Sequence, residues 1–171
     1  MVQTTPGPTR PIRPARHRVP ARPSRTLTPT DEREITMDWK LEVVLVPVAD
    51  VERAKQFYAD KMGFVVDHDT PVSDTVRIVQ LTPPGSGCSV VLSSGLHDAA
   101  PGSAAGLQLV VDDIEATHAE LTGRGAEAGE VYHFEGPERV PGRGGDWNSF
   151  LSVYDPDGNP WTIQERPRRD G

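Results

Sequence analysis

From Trp39 onward the chain carries short apolar blocks, each bounded by turn formers. Trp39 to Val48 (WKLEVVLVPV) is rich in β-branched residues and predicts a strand. Asp50 then offers an N-cap oxygen, and Val51, Ala54, Tyr58 and Met62 recur at helical spacing, so a helix should follow and end at Gly63. Phe64 to His68, Thr75 to Leu81 and Cys88 to Ser93 read as three strands, with a Pro83-Pro84-Gly85 turn between the last two. The predicted order is β-α-β-β-β.

The same order then recurs. Gly106 to Val111 predicts a strand, Asp113 caps a helix through Ile114, Thr117 or His118, and Leu121, and Gly123 to Gly125 stop it. Val131 to Phe134, Trp147 to Tyr154 and Pro160 to Glu165 supply the remaining strands, the last two joined across the turn formers Asp155-Pro156-Asp157-Gly158-Asn159. Val48-Ala49-Asp50-Val51-Glu52 and Val111-Asp112-Asp113-Ile114-Glu115 correspond at an offset of 63 residues. The second half carries extra length around Glu135 to Gly144, a stretch rich in Gly and Pro. It is expected to be a loop, either a binding lid or a plain surface excursion.

Composition divides the chain at about Met37. The first 36 residues hold seven of the 17 prolines, with seven Arg against three acidic residues. So few apolar groups cannot offset chain entropy, and this tail is expected to be disordered. The remainder, 37–171, holds eleven basic and 22 acidic residues, a balance that repels nucleic acid and favours cationic ligands. No apolar run is long enough to span a bilayer, so no membrane association is expected. A single cysteine, Cys88, rules out an internal disulfide and fits a cytoplasmic location.

The VPVADVERAKQFYADKMGF run and the closing DPDGN hairpin together resemble the vicinal oxygen chelate superfamily, which includes glyoxalases, bleomycin-resistance proteins and extradiol dioxygenases. The resemblance covers about residues 38 to 166. It implies an α+β fold: two tandem βαβββ modules, about 38–95 and 105–166, forming curled mixed sheets around a cleft. It also implies a homodimer and, in the metal-dependent members, a divalent ion held by His and Glu on four strands. Here the corresponding positions hold Val43, Gly106, Val90 and Thr162, none with an imidazole or carboxylate. No cofactor is therefore expected, although the family itself leaves a divalent metal open.

Alternation from those positions places Gln108 and Gln164 on the same faces as Gly106 and Thr162. These two amides, with Thr162 and Trp147, are the candidate ligand-binding groups over an apolar floor of Val43, Leu45 and Val90. His133 and Glu135 form the one local His/carboxylate pair, and with Asp146 they are the candidate acid/base groups. Three functions follow. The first is a metal-free small-molecule-binding protein; the second is a metal-independent isomerase, lyase or cyclase acting on a small oxygenated or aromatic metabolite. The third is a metal-dependent glyoxalase-like lyase or dioxygenase.

Overall fold

The apolar blocks do become strands, sorted into two separate sheets. The structure is a computed structural model that describes residues 37–74, 76–96 and 98–167. The tail expected to be disordered lies outside the described residues. The first sheet is built from β1 (Val43–Pro47), β2 (Val65–Pro71), β3 (Arg77–Thr82) and β4 (Ser89–Ser93), in the order β1-β4-β3-β2. The second is built from β5 (Leu107–Val111), β6 (Tyr132–Glu135), β7 (Glu138–Pro141), β8 (Phe150–Tyr154) and β9 (Pro160–Glu165), in the order β5-β9-β8-β6-β7. β1 runs parallel to β4, and β5 parallel to β9; the other pairings are antiparallel.

The sheets and the Gly/Pro-rich stretch both differ from expectation. Neither sheet curls or closes: each runs linearly from one edge strand to another, β1 to β2 and β5 to β7. Closure into a filled barrel takes about eight strands, and neither module has that many. The Gly/Pro-rich stretch around Glu135 to Gly144 is also not simply a loop. Gly136 adopts φ 61°, which lets Gly136-Pro137 turn tightly, so Glu138–Pro141 pairs back on β6. The Arg139 guanidinium then lies 3.6 Å from the Tyr132 ring centroid.

Both predicted helix caps form. Asp50 accepts from the Arg53 amide at 3.0 Å before α1 (Val51–Gln56), and Asp113 accepts from the Ala116 amide at 3.0 Å before α2 (Ile114–Gly123). α1 continues into a π-helical stretch, Phe57–Lys61, in which the Met62 amide reaches the Phe57 carbonyl. That stretch presents Tyr58, which is fully buried, to the other module. One core joins the two modules, with Val46, Leu81, Leu92, Ile114, Leu151 and Ile163 at its centre.

Tyr58 is the polar member of that core. Its hydroxyl donates to Asp155 Oδ2 at 2.9 Å and accepts from Trp161 Nε1 at 3.0 Å. Burial, and next the Asp155 charge, hold the phenol far above its ordinary pKa. Asn159 completes the knot by donating to Asp155 Oδ2 at 2.8 Å and to the Pro47 carbonyl at 3.0 Å, while its Oδ1 accepts from the Ala104 amide at 2.9 Å. Removing the hydroxyl leaves the indole N–H without its partner. Tyr58→Phe is therefore expected to cost about 1–3 kcal/mol in chemical denaturation, and an unchanged midpoint would show that the knot does not hold the modules together.

On the outer side of the first module, Asp69 binds Arg77 through both carboxylate oxygens at 2.6 Å and Lys55 at 2.6 Å. Hydrogen bonds from Arg77 and then Lys55 hold its carboxyl well below the ordinary range. A depressed carboxylate stabilises the fold above its unfolded-state pKa of about 4 and loses that contribution as the pH falls toward the folded value. Asp69→Asn should accordingly flatten the acid limb of stability against pH below about pH 4, as read by thermal melting. An acid limb identical to that of the parent chain would contradict this assignment.

Candidate functional site

Both helices pack on one side of their sheets and leave the opposite faces open. On the second sheet, Leu107, Leu151, Val153, Trp161 and Ile163 belong to the core, so the alternating residues occupy the helix-free face. Strand register arranges these residues in two rows. Gln108 lies opposite Thr162, which lies opposite Ser152, forming a polar row. Val110, Gln164, Phe150 and Tyr132 follow one another across β5, β9, β8 and β6, forming a largely apolar row. Phe134 extends the apolar row, making edge-to-face contacts with Tyr132 and Phe150 at 5.7 and 5.6 Å between centroids.

The two amides are joined to each other and to Trp147. Gln108 Nε2 donates to Gln164 Oε1 at 2.6 Å, and Gln164 Nε2 donates to the Trp147 carbonyl at 2.6 Å. Trp147 is the one described non-glycine residue with positive φ, 57°, a left-handed conformation that costs a non-glycine residue about 1–2 kcal/mol. Its side chain is half exposed. The segment carrying it is pinned at both ends. Arg143 forms a bidentate pair with buried Glu165 at 2.8 to 3.1 Å, and the Gly144 amide donates to Ser149 Oγ at 3.1 Å. Asn148 bonds the Phe134 amide and carbonyl through its side chain. Glu165 also accepts from the Ile114 amide at the start of α2, tying this segment to the helix.

Gln108 also reaches a second feature. A cavity of about 420 Å³ lies in the seam between the two sheets, lined by Leu41, Val44, Cys88, Val90, Leu107 and Gln108 among others. That volume suits a small organic ligand. Cys88 is half-buried at its wall.

The predicted residues divide in space. Gln108, Thr162 and Gln164 come together on the second sheet, whereas Trp147, predicted to open a strand, lies in the turn before β8, touches Gln164 through its backbone carbonyl and lines a polar hollow. Val43 and Leu45 lie on the helix-free face of the first sheet, where they pair with Ser89 and Val91. Val90, expected beside them, pairs with Val44 and points into the core, because one residue along a strand reverses the face. His133 points away from the aromatic row, since Tyr132 and Phe134 occupy that face of β6. Its Nδ1 meets the Gly142 carbonyl at 2.9 Å, and its Nε2 lies 3.4 Å from Glu135 Oε1. Asp146 sits instead in a polar hollow with Arg143, Glu165 and Arg166. No bond joins these three acid/base candidates into one constellation, nor any of them to Gln108.

A divalent ion fails a fit test at the same place. Val43, Gly106 and Thr162 supply no imidazole, thiolate or carboxylate, and Val91, which replaces Val90 on the relevant face, supplies none either. Among the described residues no group of three or more His, Cys, Asp or Glu could hold a metal.

A family model described as "Glyoxalase/Bleomycin resistance protein/Dioxygenase superfamily" matches residues 40–163. The chain belongs to that superfamily. TnmS3, an antibiotic binding protein from Streptomyces sp. CB03234, is 31% identical to this superfamily member; the match covers 77% of this chain and 99% of that one, with a TM-score of 0.62. A glyoxalase/bleomycin resistance protein from the same organism is 33% identical over 73% of this chain and 99% of its own, with a TM-score of 0.58. The uncharacterized protein YetH of Bacillus subtilis (strain 168) is 25% identical over 74% of this chain and 98% of its own length.

The sequence reading missed the aromatic row, although alternation in Tyr132–Phe134 and Phe150–Ser152–Tyr154 carries its signal. It also missed the Arg143–Glu165 anchor, which pairs residues 22 positions apart and leaves no local pattern. A Cβ on Gly144 would stand 2.3 Å from the Asn148 carbonyl oxygen and 2.7 Å from His133 Cβ. Gly144→Ala should therefore displace the Trp147 segment, shift tryptophan emission and lower the melting temperature. Unaltered emission and melting would refute the close packing of this segment.

Proposed function

We propose that this protein is a metal-independent small-molecule-binding member of the superfamily, taking a planar, amphiphilic aromatic ligand in the manner of an antibiotic-sequestering protein. The observation that carries the reading is the pair of rows on the helix-free face. Val110, Phe150 and exposed Phe134 offer apolar and stacking surface, with Tyr132 packed beneath Arg139 as their support, and Gln108–Thr162–Ser152 beside them offers neutral hydrogen-bonding groups. Trp147 meets this face through its backbone carbonyl, which accepts from Gln164. The description of TnmS3 as an antibiotic binding protein supports the same class of ligand. Acid/base turnover through His133 and Glu135 gains no support, since that pair belongs to the other face of β6.

The exposed apolar side chains of Leu45 and Val110 support a homodimer, in which a second chain would cover part of these faces. The lone cysteine supports a cytoplasmic setting. No helix among the described residues is long and apolar enough to cross a membrane.

Elemental analysis of the purified protein should find substoichiometric metal, and zinc, nickel, manganese or ferrous iron should leave the melting temperature unchanged. Stoichiometric metal, or a large metal-dependent rise in melting temperature, would overturn the metal-independent reading. Calorimetric titration with planar polycyclic aromatics should give saturable binding without turnover. Phe150→Ala should weaken that binding about tenfold, the loss of one good aromatic contact.

A further inference from the structure

The two glutamines are set in fixed orientations by an acceptor that cannot change its role. A backbone carbonyl only accepts, so the group that Gln164 presents to the Trp147 carbonyl at 2.6 Å must be its Nε2 amide. Gln164 Oε1 is thereby turned toward Gln108, and an oxygen there can only be met by a donor. The 2.6 Å contact therefore comes from Gln108 Nε2. The sequence of constraints runs one way, from the Trp147 backbone through two side chains. Trp147 is itself held at positive φ between the pinned ends of its segment.

Gln108 sits at the end of this relay and on the wall of the seam cavity. Its Nε2 is engaged by Gln164, and its Oε1 receives no hydrogen bond from any described residue. A free glutamine could rotate its amide to suit either a donor or an acceptor. Here rotation would set two carbonyl oxygens against each other at Gln164, so the exposed acceptor is built in.

We propose that the Trp147–Gln164–Gln108 relay makes Gln108 a specificity-determining residue, selecting planar aromatic ligands that carry a hydroxyl or N–H donor at the ring edge. Gln164 is a positioning residue that acts through Gln108. The inference rests on the aromatic-ligand reading of the same face and goes beyond it by naming the ring-edge chemistry. A ligand lacking the donor would bury Gln108 Oε1 unpaired and against its own lone pair, which costs more than a missing contact alone.

The test compares 9-phenanthrol with 9-methoxyphenanthrene, which share one ring system and differ in the donor, by calorimetric titration of the full chain. The parent chain should bind the phenol about tenfold more tightly than the ether, the effect of one buried acceptor left unpaired. In Gln164→Met, of similar volume, the amide of Gln108 is released and the ratio should fall to near unity. Gln108→Met should also bring it near unity. If Gln164 served only to support the sheet, its replacement would weaken both ligands in parallel and keep the tenfold ratio, and that result overturns the proposal. Equal affinities of the parent chain for both compounds overturn the selection by Gln108 while leaving the aromatic face as the binding surface. Binding of neither compound overturns the aromatic-ligand reading and the relay with it.

Discussion

The buried knot around Asp155 is the constraint on which the two modules depend. A carboxylate so far from water needs donors, and it receives them from Tyr58, Asn159 and the Asp157 and Asn159 amides. Tyr58 comes from the first module, and Asn159 also reaches the carbonyl of Pro47 at the end of β1. The turn that closes the last hairpin is therefore also the clamp that fixes the first module against the second. Arg53 adds an ion pair to Asp157 of the same turn at 2.7 Å. The conformation of α1 serves this arrangement, because its π-helical end delivers Tyr58 to the knot.

With the modules fixed in this way, the helices and the knot share one side and leave the opposite faces without a helix over them. The second sheet has the richer face, since its additional hairpin adds β7 and positions Tyr132 and Phe134 beside Phe150. The first sheet mixes aliphatic residues with Gln80, Thr82, Ser89 and Ser93 there, and its buried Ser89 hydroxyl is occupied by Thr82 at 2.6 Å and Gln80 at 3.2 Å. Members of this superfamily that use a metal need hard or borderline donors converging on one point. This chain has apolar residues, glycine and threonine there, and beside them a pair of amides whose orientation is set by a backbone carbonyl.

The strained Trp147 follows from the same economy of space. Its flanking glycines let the segment turn closely, and Gly144 passes so near His133 and Asn148 that no side chain fits. Arg143 bound to Glu165, and Asn148 bound to the Phe134 backbone, fix the ends of the segment so that Trp147 is presented in one conformation. That strained backbone aims the Trp147 carbonyl at Gln164.

The sequence by itself determined the order of elements other than β7, both helix caps, the tandem relation of the modules and the residue types at Val43, Gly106 and Thr162. These features are local or periodic: an Asp at an N-cap, alternation along a strand, a repeat at an offset of 63 residues. It also placed Gln108, Thr162 and Gln164 on one face, because alternation reports facing within a strand. Tertiary structure alone decided which strands are neighbours. That decision turned Val90 into the core, separated His133 and Glu135 from the amides, left both sheets open and brought Tyr132 beside Phe150. The Gly136-Pro137 turn could be seen in the chain, but its partner strand could not, since pairing is settled by what the opposite strand presents. The same reason hid the reach of Tyr58 to Asp155 and of Asn159 to Pro47, 97 and 112 residues apart, which needs the two modules to pack, and the amide relay, whose contacts span 17 and 56 residues and need β5 to pair with β9.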